Sequence, residues 1–170
     1  LSGVGQSGGN YDVIFTNPPW GKKLPKKQKD FLATSLRAGT SKDTSAIFFF
    51  ACLNALKPNG YIGFLLQDAF FNIAAYENAR KKALSNQIIS LIDFGKTFEG
   101  LLTKAKGIVL SNKSPDCKHR VFCGSKNNKN RISQKIFEKN PKSIFNFTCS
   151  ESDLQVIDHL LRIPHCTLRG

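Results

Sequence analysis

The sequence predicts an α/β fold with a largely parallel sheet, and two observations support this prediction. Short runs of β-branched, aromatic and aliphatic residues have the composition of strands. Segments with the apolar spacing of a helix, at 41–57 and 74–85, lie before two of these runs. A helix followed by a strand, twice over, predicts right-handed crossovers onto parallel strands. The predicted strands cover residues 11–16, 61–66, 88–94 and 106–110.

The first strand, residues 11–16, is predicted to be buried and ends at Asn17-Pro18-Pro19-Trp20. Neither proline has an N–H to donate to a neighbouring strand, and each holds the residue before it in an extended conformation. A stiff corner is therefore expected at the carboxyl end of this strand. In open α/β sheets, ligands bind at that end.

The residues of this corner suit one kind of ligand, an amino group on a planar ring. The side-chain oxygen of Asn17 and the carbonyl of Pro18 can both accept hydrogen bonds, and Trp20 offers a flat face for stacking. The lone pair of such a nitrogen is delocalised into the ring. Hydrogen bonds accepted from both of its protons favour a pyramidal nitrogen and free the lone pair for attack. The alternative is a surface turn with a half-buried tryptophan.

The segment 12–21 resembles the Asn-Pro-Pro-aromatic signature of S-adenosylmethionine-dependent amino-methyltransferases. It is most similar to the adenine-N6 DNA methyltransferases of restriction–modification systems, in particular the fused restriction–methylation type. The segments 64–72, 92–100 and 108–110 have the order and spacing of the later motifs of that family. The resemblance implies part of a Rossmann-like methyltransferase fold, mostly parallel with one antiparallel strand. It also implies S-adenosylmethionine as cofactor and double-stranded DNA as substrate.

The resemblance implies a role for each residue of the corner. Asn17 and the carbonyl of Pro18 would orient and activate the amino group. Pro19 would stiffen the corner near the methyl donor, so that Asn17 and Pro19 also contribute to cofactor binding. Trp20 would stack on the extruded base.

Three further residues are implied as substrate contacts. Lys22 and Lys23 open a lysine-rich loop that would hold backbone phosphates, although a solvated loop is the alternative. Phe70 follows the second strand and would form a wall of the base pocket, unless it packs in the core. Many relatives carry an aromatic residue near the end of the last strand that stacks on the base. Ser111 and Asn112 stand at about that place here.

The helix at 74–85 is predicted to be amphipathic, with Arg80, Lys81 and Lys82 facing outward. Beyond residue 113 a strand around Val121, a short strand at 144–148 and a helix up to about residue 161 are expected.

The domain organisation follows from the resemblance. In the family, a glycine-rich loop and an acidic residue that bind the cofactor precede the signature. Gly3-Val4-Gly5 follows no strand, so a linker is expected there. Residues 1–113 are therefore predicted to be the second half of a catalytic domain. Residues 114–170 are predicted to be a connector towards a target-recognition domain, with restriction or specificity domains or subunits as further partners.

Composition adds broad constraints. The chain has 25 Lys and Arg against 12 Asp and Glu, a net charge of +13, which favours a polyanionic partner. Five cysteines without a C-x-x-C pair predict reduced thiols in a cytoplasmic protein. No apolar run approaches the ~18 residues of a membrane span. The scattered cysteines and histidines do not match a metal site.

Two alternatives remain open from the sequence. Some RNA methyltransferases and the glutamine methyltransferases of release factors share the four-residue signature. A non-catalytic DNA-binding remnant is the third possibility, and it predicts salt-sensitive DNA binding without cofactor binding.

Overall fold

The computed structural model describes residues 9–96, 104–126, 128–149 and 151–164. The strands are β1 (Tyr11–Thr16), β2 (Leu56–Gln67), β3 (Gln87–Gly95), β4 (Ala105–Ser111), β5 (Arg120–Gly124) and β6 (Lys129–Ser133). The helices are α1 (Lys26–Ser35), α2 (Thr44–Ala55), α3 (Ala69–Asn72), α4 (Glu77–Leu84), α5 (Gln134–Lys139) and α6 (Glu151–Arg162). Over the described residues helices precede β2 and β3, as the sequence predicts, and four strands, β3 to β6, then follow one another.

The six described strands form one sheet in the order β1-β2-β4-β3-β5-β6. The pairs β1–β2 and β3–β5 are parallel, so β1, β2, β3 and β5 point in the same direction. The strand β4 lies antiparallel between β2 and β3, which is the antiparallel strand that the resemblance implied. A second reversed strand, β6, pairs with β5 at the edge of the sheet and was not predicted.

The helices cover one face of the sheet. Buried residues of the central strands, such as Ile62, Phe64 and Ile108, point to this face and belong to one core. Against them packs a cluster of rings that α2 and the segment after β2 supply: the ring of Phe49 lies 5.4 Å from those of Phe64 and Phe70. Large apolar surfaces of this kind dominate the stability of a domain of this size.

The strand β1 was predicted to be buried, and this was wrong for the described residues. Tyr11 and Val13 are exposed, and 74% of Phe15 is exposed. The reason is position: β1 lies at the edge of the sheet, and its outward residues are on the face opposite the helices. The apolar composition that predicted burial is present, but only Ile14 packs partly against the core.

The helix α2 begins at a capped residue. The side chain of Asp43 accepts a hydrogen bond from the backbone N–H of Ser45, which satisfies one of the free donors at the helix start. The next strand begins directly at Leu56, five residues earlier than predicted. Pro58-Asn59-Gly60 lies inside β2, where Asn59 has a φ of 62°.

The predicted boundary at 113/114 does not coincide with a break in the sheet. The strand β5 pairs with β3, and Val121, Cys123 and Ile132 are buried in the same core as the first strands. Residues 144–148 do not form the predicted strand. Their alternating phenylalanines are buried, but the backbone N–H of Phe145 donates to the carbonyl of Phe71 and not to a sheet edge.

No helix within the described ranges is long and apolar enough to span a membrane.

Candidate active site

The corner predicted from the sequence lies at the carboxyl end of β1, beside β2. The last paired residue is Thr16, opposite Phe64. Asn17 follows with an exposed side chain, Pro18 is buried, and Pro19 is half-buried. The side-chain amide of Asn17 is therefore available to a ligand, and the buried Pro18 that follows it holds the backbone at this point rigid.

Trp20 is fixed to the neighbouring strand. Its indole Nε1 donates a hydrogen bond to the carbonyl oxygen of Leu65 at 3.3 Å. Pro18 and Pro19 have no N–H to donate to β2 beyond Thr16, and the indole provides a donor at this point. The ring is half-buried, so part of its surface remains accessible.

The lysine-rich loop follows immediately. Gly21 adopts a φ of 66°, which turns the chain at low steric cost. The carbonyl of Lys22 then accepts a hydrogen bond from Thr44 Oγ1 at 2.6 Å, which ties the loop to the start of α2. The side chains of Lys22 and Lys23 are exposed. The backbone of the loop is therefore anchored while its ammonium groups face solvent.

An apolar groove of about 420 Å³ extends from Asn17 across the sheet face that the helices leave open. Phe15 lies over Gly63, and a Cβ at that glycine would stand 2.2 Å from the ring. Phe94, which is 51% exposed, lies over Gly107 in the same way. The two glycines thus allow two rings to lie flat on the sheet beside the corner.

The segment after β2 follows at the same edge of the sheet. The amide of Gln67 donates to the hydroxyl of Tyr76 at 2.6 Å. Burial, together with the charge and hydrogen bonding of Asp43, raises the pKa of Tyr76 to about 12 against the opposing hydrogen bonds of Ser45 and Gln67. Its hydroxyl therefore stays protonated at neutral pH. Gln67 is thereby held against the helical layer.

Phe70 is a core residue in this structure. It is 0% exposed, and its ring packs against the rings of Phe49, Phe71 and Tyr76. The contact with substrate that we predicted for Phe70 is therefore not supported, because the side chain is part of the core. Asn72 and Ile73, two and three residues further on, are the exposed side chains of this turn.

A buried lysine lies behind the turn. The Nζ of Lys106 is 2.6 Å from Asp68 Oδ1 and 3.7 Å from Asp93 Oδ2. It also lies over the rings of Phe71 and Phe147, at 5.7 and 5.0 Å from their centroids. Partial burial disfavours the charge of Asp68, but hydrogen bonds from Lys106 and Asn72 outweigh it and lower the pKa of this carboxyl.

Sequence reasoning missed this cluster, although a signal was present. Lys106 and Asp93 each lie inside a predicted strand of otherwise apolar character, and they face each other across β3 and β4. A lone charge in a buried strand needs a partner. Two such charges of opposite sign in strands predicted to be neighbours indicate a pair.

Ser111 and Asn112 lie far from the corner. Because β4 is antiparallel to β2, Ser111 is opposite Tyr61 in the middle of β2, whereas Ala105 is opposite Gln67 at its end. Asn112 donates to the carbonyls of Leu56 and Lys57 at the same remote edge. These residues therefore do not occupy the place of a second stacking aromatic, and the segment 97–103 just before β4 is outside the described residues.

The described residues fit one half of a methyl-transfer site. The donors and acceptors at the corner are one exposed amide, one proline carbonyl and an indole, which suit an amino group and its ring. Asn17 and Pro19, which are predicted to contact the cofactor as well, lie at this corner, where Asn17 is exposed and Pro19 is half-buried. Gly3-Val4-Gly5 is outside the described residues. Within the described ranges no group of three or more His, Cys, Asp or Glu could hold a metal ion.

Comparison with known proteins agrees with this arrangement. The chain is 71% identical over 160 residues to the type II methyltransferase M.VspI of Vibrio sp. (strain 343), covering 94% of this chain and 39% of that protein. The chain thus spans less than half the length of this relative.

Two solved structures share the fold. One is described as a class I S-adenosylmethionine-dependent methyltransferase from Listeria monocytogenes; it has a TM-score of 0.54, 19% identity and coverage of 69% of this chain and 37% of that one. The other is the M protein of the type I restriction enzyme EcoKI, with a TM-score of 0.52, 13% identity and coverage of 69% and 25%. The family model described as Eco57I restriction-modification methylase matches residues 3–99. With more than half of its length matched, this chain belongs to the Eco57I restriction-modification methylase family.

Proposed function

We propose that this chain carries the amino-group-binding side of an adenine-N6 DNA methyltransferase that uses S-adenosylmethionine. The observation that carries the proposal is the exposed amide of Asn17 at the carboxyl end of β1, beside an indole fixed on Leu65. Two acceptors and an aromatic plane match the amino group of adenine and the ring that bears it. Membership of a restriction-modification methylase family supports DNA as the substrate.

Asn17 and the carbonyl of Pro18 hold and polarise the amino group. Each accepts one N–H, which localises the nitrogen lone pair and directs it away from the two acceptors. S-adenosylmethionine, when bound, supplies an electrophilic methyl group to that lone pair. The buried Pro18 and half-buried Pro19 keep the two acceptors in place before the substrate arrives, so little reorganisation is needed during the reaction.

Trp20 and the lysine loop act on the rest of the substrate. A base must leave the duplex to reach this corner, which costs a few kcal/mol. Stacking on the accessible part of Trp20, worth about 1–3 kcal/mol per base, offsets much of this. Lys22 and Lys23 add phosphate contacts from an anchored backbone. As further partners we propose restriction or specificity domains or subunits. The proposed cellular location is the cytoplasm.

Parallel substrate tests separate this proposal from its alternatives. The full-length native protein is incubated with labelled S-adenosylmethionine and with DNA, RNA or a release factor. We expect label in DNA, recovered as N6-methyladenine after digestion. If the label appears only in RNA, or only in a glutamine of the release factor, then that molecule and not DNA is the substrate. DNA binding without any methyl transfer or cofactor binding would favour the non-catalytic remnant.

A further inference from the structure

Arg80 on α4 is the largest fully buried side chain among the described residues, with 0% exposure. The helical pattern predicted that it faces outward with Lys81 and Lys82, and for Arg80 this was wrong. Its guanidinium is instead directed at four backbone carbonyls. The two lysines remain exposed as predicted.

The four carbonyls belong to two segments that are distant in sequence. Nη1 donates to Phe70 O at 2.7 Å and to Ile73 O at 2.8 Å, in the turn that follows β2. Nε donates to Ser143 O at 3.1 Å, and Nη2 donates to Lys142 O at 3.0 Å. One side chain therefore joins the turn at the ligand-bearing edge to a segment near the end of α5.

The C-terminal side of this junction is held in an unusual conformation. Lys142 and Ser143 have φ values of 54° and 53°, in the left-handed region that non-glycine residues rarely adopt. Two such residues in succession persist only where surrounding contacts fix them. The hydrogen bonds from Arg80 to both of their carbonyls are such contacts.

Only arginine fits this arrangement. Burial lowers the pKa of Arg80 to about 10, so the group is still charged at neutral pH. Its planar guanidinium offers five N–H donors in a fixed fork, whereas a lysine ammonium offers three donors around a single atom. A lysine at this position would keep the charge but could not reach all four carbonyls.

A second set of contacts joins the same two segments. Lys106 pairs with Asp68 in the turn and lies over the ring of Phe147. The N–H of Phe145 donates to Phe71 O at 3.0 Å, and the ring of Phe71 lies 5.7 Å from that of Phe147. The turn 68–73 is therefore fixed to residues 142–147 at both of its ends.

We propose that Arg80 is a positioning residue for the methyl-acceptor edge, because it fixes the turn 68–73 by binding it to residues 142 and 143. The turn presents the exposed Asn72 and Ile73 at the carboxyl end of β2, which lies next to β1, the strand that Asn17 follows. Residues 140–147 are then a working part of the catalytic unit and not a spacer. The catalytic part of this inference rests on the proposed function.

Hydrogen exchange in the wild-type protein tests the link without any variant. The full-length native protein is labelled at increasing urea concentrations, and peptides covering 68–76 and 140–147 are followed by mass spectrometry. If the two segments form one unit, their amides open together, with the same dependence on urea. Different urea dependences for the two segments would overturn the inference.

The variant Arg80→Lys tests the catalytic role, with Lys82→Met as the matched control at an exposed site on the same helix. In a folded Arg80→Lys protein we expect faster exchange in both segments, unchanged exchange in β1 and unchanged cofactor binding. We expect kcat for DNA methylation to fall about tenfold or more, because small displacements of a substrate-flanking turn misalign the reacting groups. Lys82→Met should match the wild type in each measurement.

Two outcomes contradict the proposal in different ways. If Arg80→Lys loosens both segments but keeps the wild-type kcat, Arg80 holds the fold without positioning the site. If the wild type methylates no substrate, the proposed function fails and the catalytic role of Arg80 fails with it. The exchange measurement would then still decide whether the two segments move as one.

Discussion

The indole Nε1 of Trp20 donates to the carbonyl oxygen of Leu65 at 3.3 Å, and this bond fixes the aromatic residue of the corner onto the neighbouring strand. Because Pro18 and Pro19 have no backbone N–H, the main chain has no hydrogen-bond donor for β2 at this point. The tryptophan thus binds β2 through its N–H, and the function that we propose gives it a second task, which is to offer its ring to a base.

Replacing Trp20 separates these tasks. Trp20→Phe keeps an aromatic face and loses the N–H, so we expect a loss of about 1 kcal/mol in unfolding free energy and a several-fold loss in methyl transfer. Trp20→Ala also loses the stacking surface, worth about 1–3 kcal/mol per base. Fluorescence of 2-aminopurine placed at the target adenine should report base extrusion that is weakened in Trp20→Phe and nearly absent in Trp20→Ala. Equal extrusion in both variants would exclude stacking on Trp20.

Phe70 is a core residue, so its replacement should affect stability. Phe70→Ala removes a ring that is packed against three others, and we expect a loss of about 3–5 kcal/mol, measured by urea unfolding. Phe31→Ala is the control, because Phe31 is 71% exposed and its loss should change stability by less than about 0.5 kcal/mol. A Phe70→Ala protein of wild-type stability that had lost DNA binding would restore Phe70 to the substrate site.

The free energy of unfolding should depend on pH in the acid range through the carboxyl group of Asp68. Its pKa lies below the ordinary value in the folded state: burial opposes the charge, but the bonds from Lys106 and Asn72 outweigh it. An unfolded Asp has a pKa of about 3.9. Its contribution is therefore fully present above about pH 4 and is lost as the pH falls through the folded pKa.

Urea unfolding between pH 3 and 6 measures this dependence. Asp68→Asn should remove part of the loss in stability that the wild type shows on acidification. Asp12→Asn is the control, because the pair that Asp12 forms with Lys57 is exposed and such pairs contribute little. An unaltered pH profile in Asp68→Asn would show that Lys106 does not stabilise this carboxylate.

Lys22 and Lys23 are expected to bind phosphates, and salt dependence measures such contacts. Each phosphate contact contributes about 0.9 to the slope of log K against log salt concentration for duplex DNA. The double variant Lys22→Gln with Lys23→Gln should reduce the slope by about 1.8 and weaken binding to all DNA sequences alike. Lys113→Gln, at the opposite edge of the sheet, is the control and should leave the slope unchanged. A slope unaffected by the double variant would mean that the lysine loop does not touch DNA.

The elements that local sequence determines were predicted well. The strand–corner unit at Asn17 depends on adjacent residues, since proline acts on its own backbone and on the residue before it. The strands β1 to β4 and the helices α2 and α4 were placed within five residues of their observed bounds, and the α/β fold and the family were confirmed. The family resemblance supplied the antiparallel direction of β4, which local pattern does not determine.

The errors share a different cause, which is long-range contact. Arg80 was predicted on the outer face because a basic triplet on a helix usually faces solvent, but two of its four carbonyl partners lie 62 and 63 residues further along the chain. Ser111 was placed at about the position of the relatives' stacking aromatic, but its antiparallel strand carries it away from the corner, opposite Tyr61. The alternating Phe145 and Phe147 predicted a strand, although their burial comes from packing on Phe71.

The central claim concerns Asn17, and steady-state methylation of DNA by Asn17→Ala in the full-length native protein tests it most directly. Asn54→Ala, an exposed asparagine on α2, is the control and should keep wild-type turnover. We predict that Asn17→Ala loses methyl transfer almost entirely while its affinity for DNA, measured by fluorescence anisotropy, stays close to that of the wild type. Wild-type turnover in Asn17→Ala would contradict the role of this corner in activating the amino group.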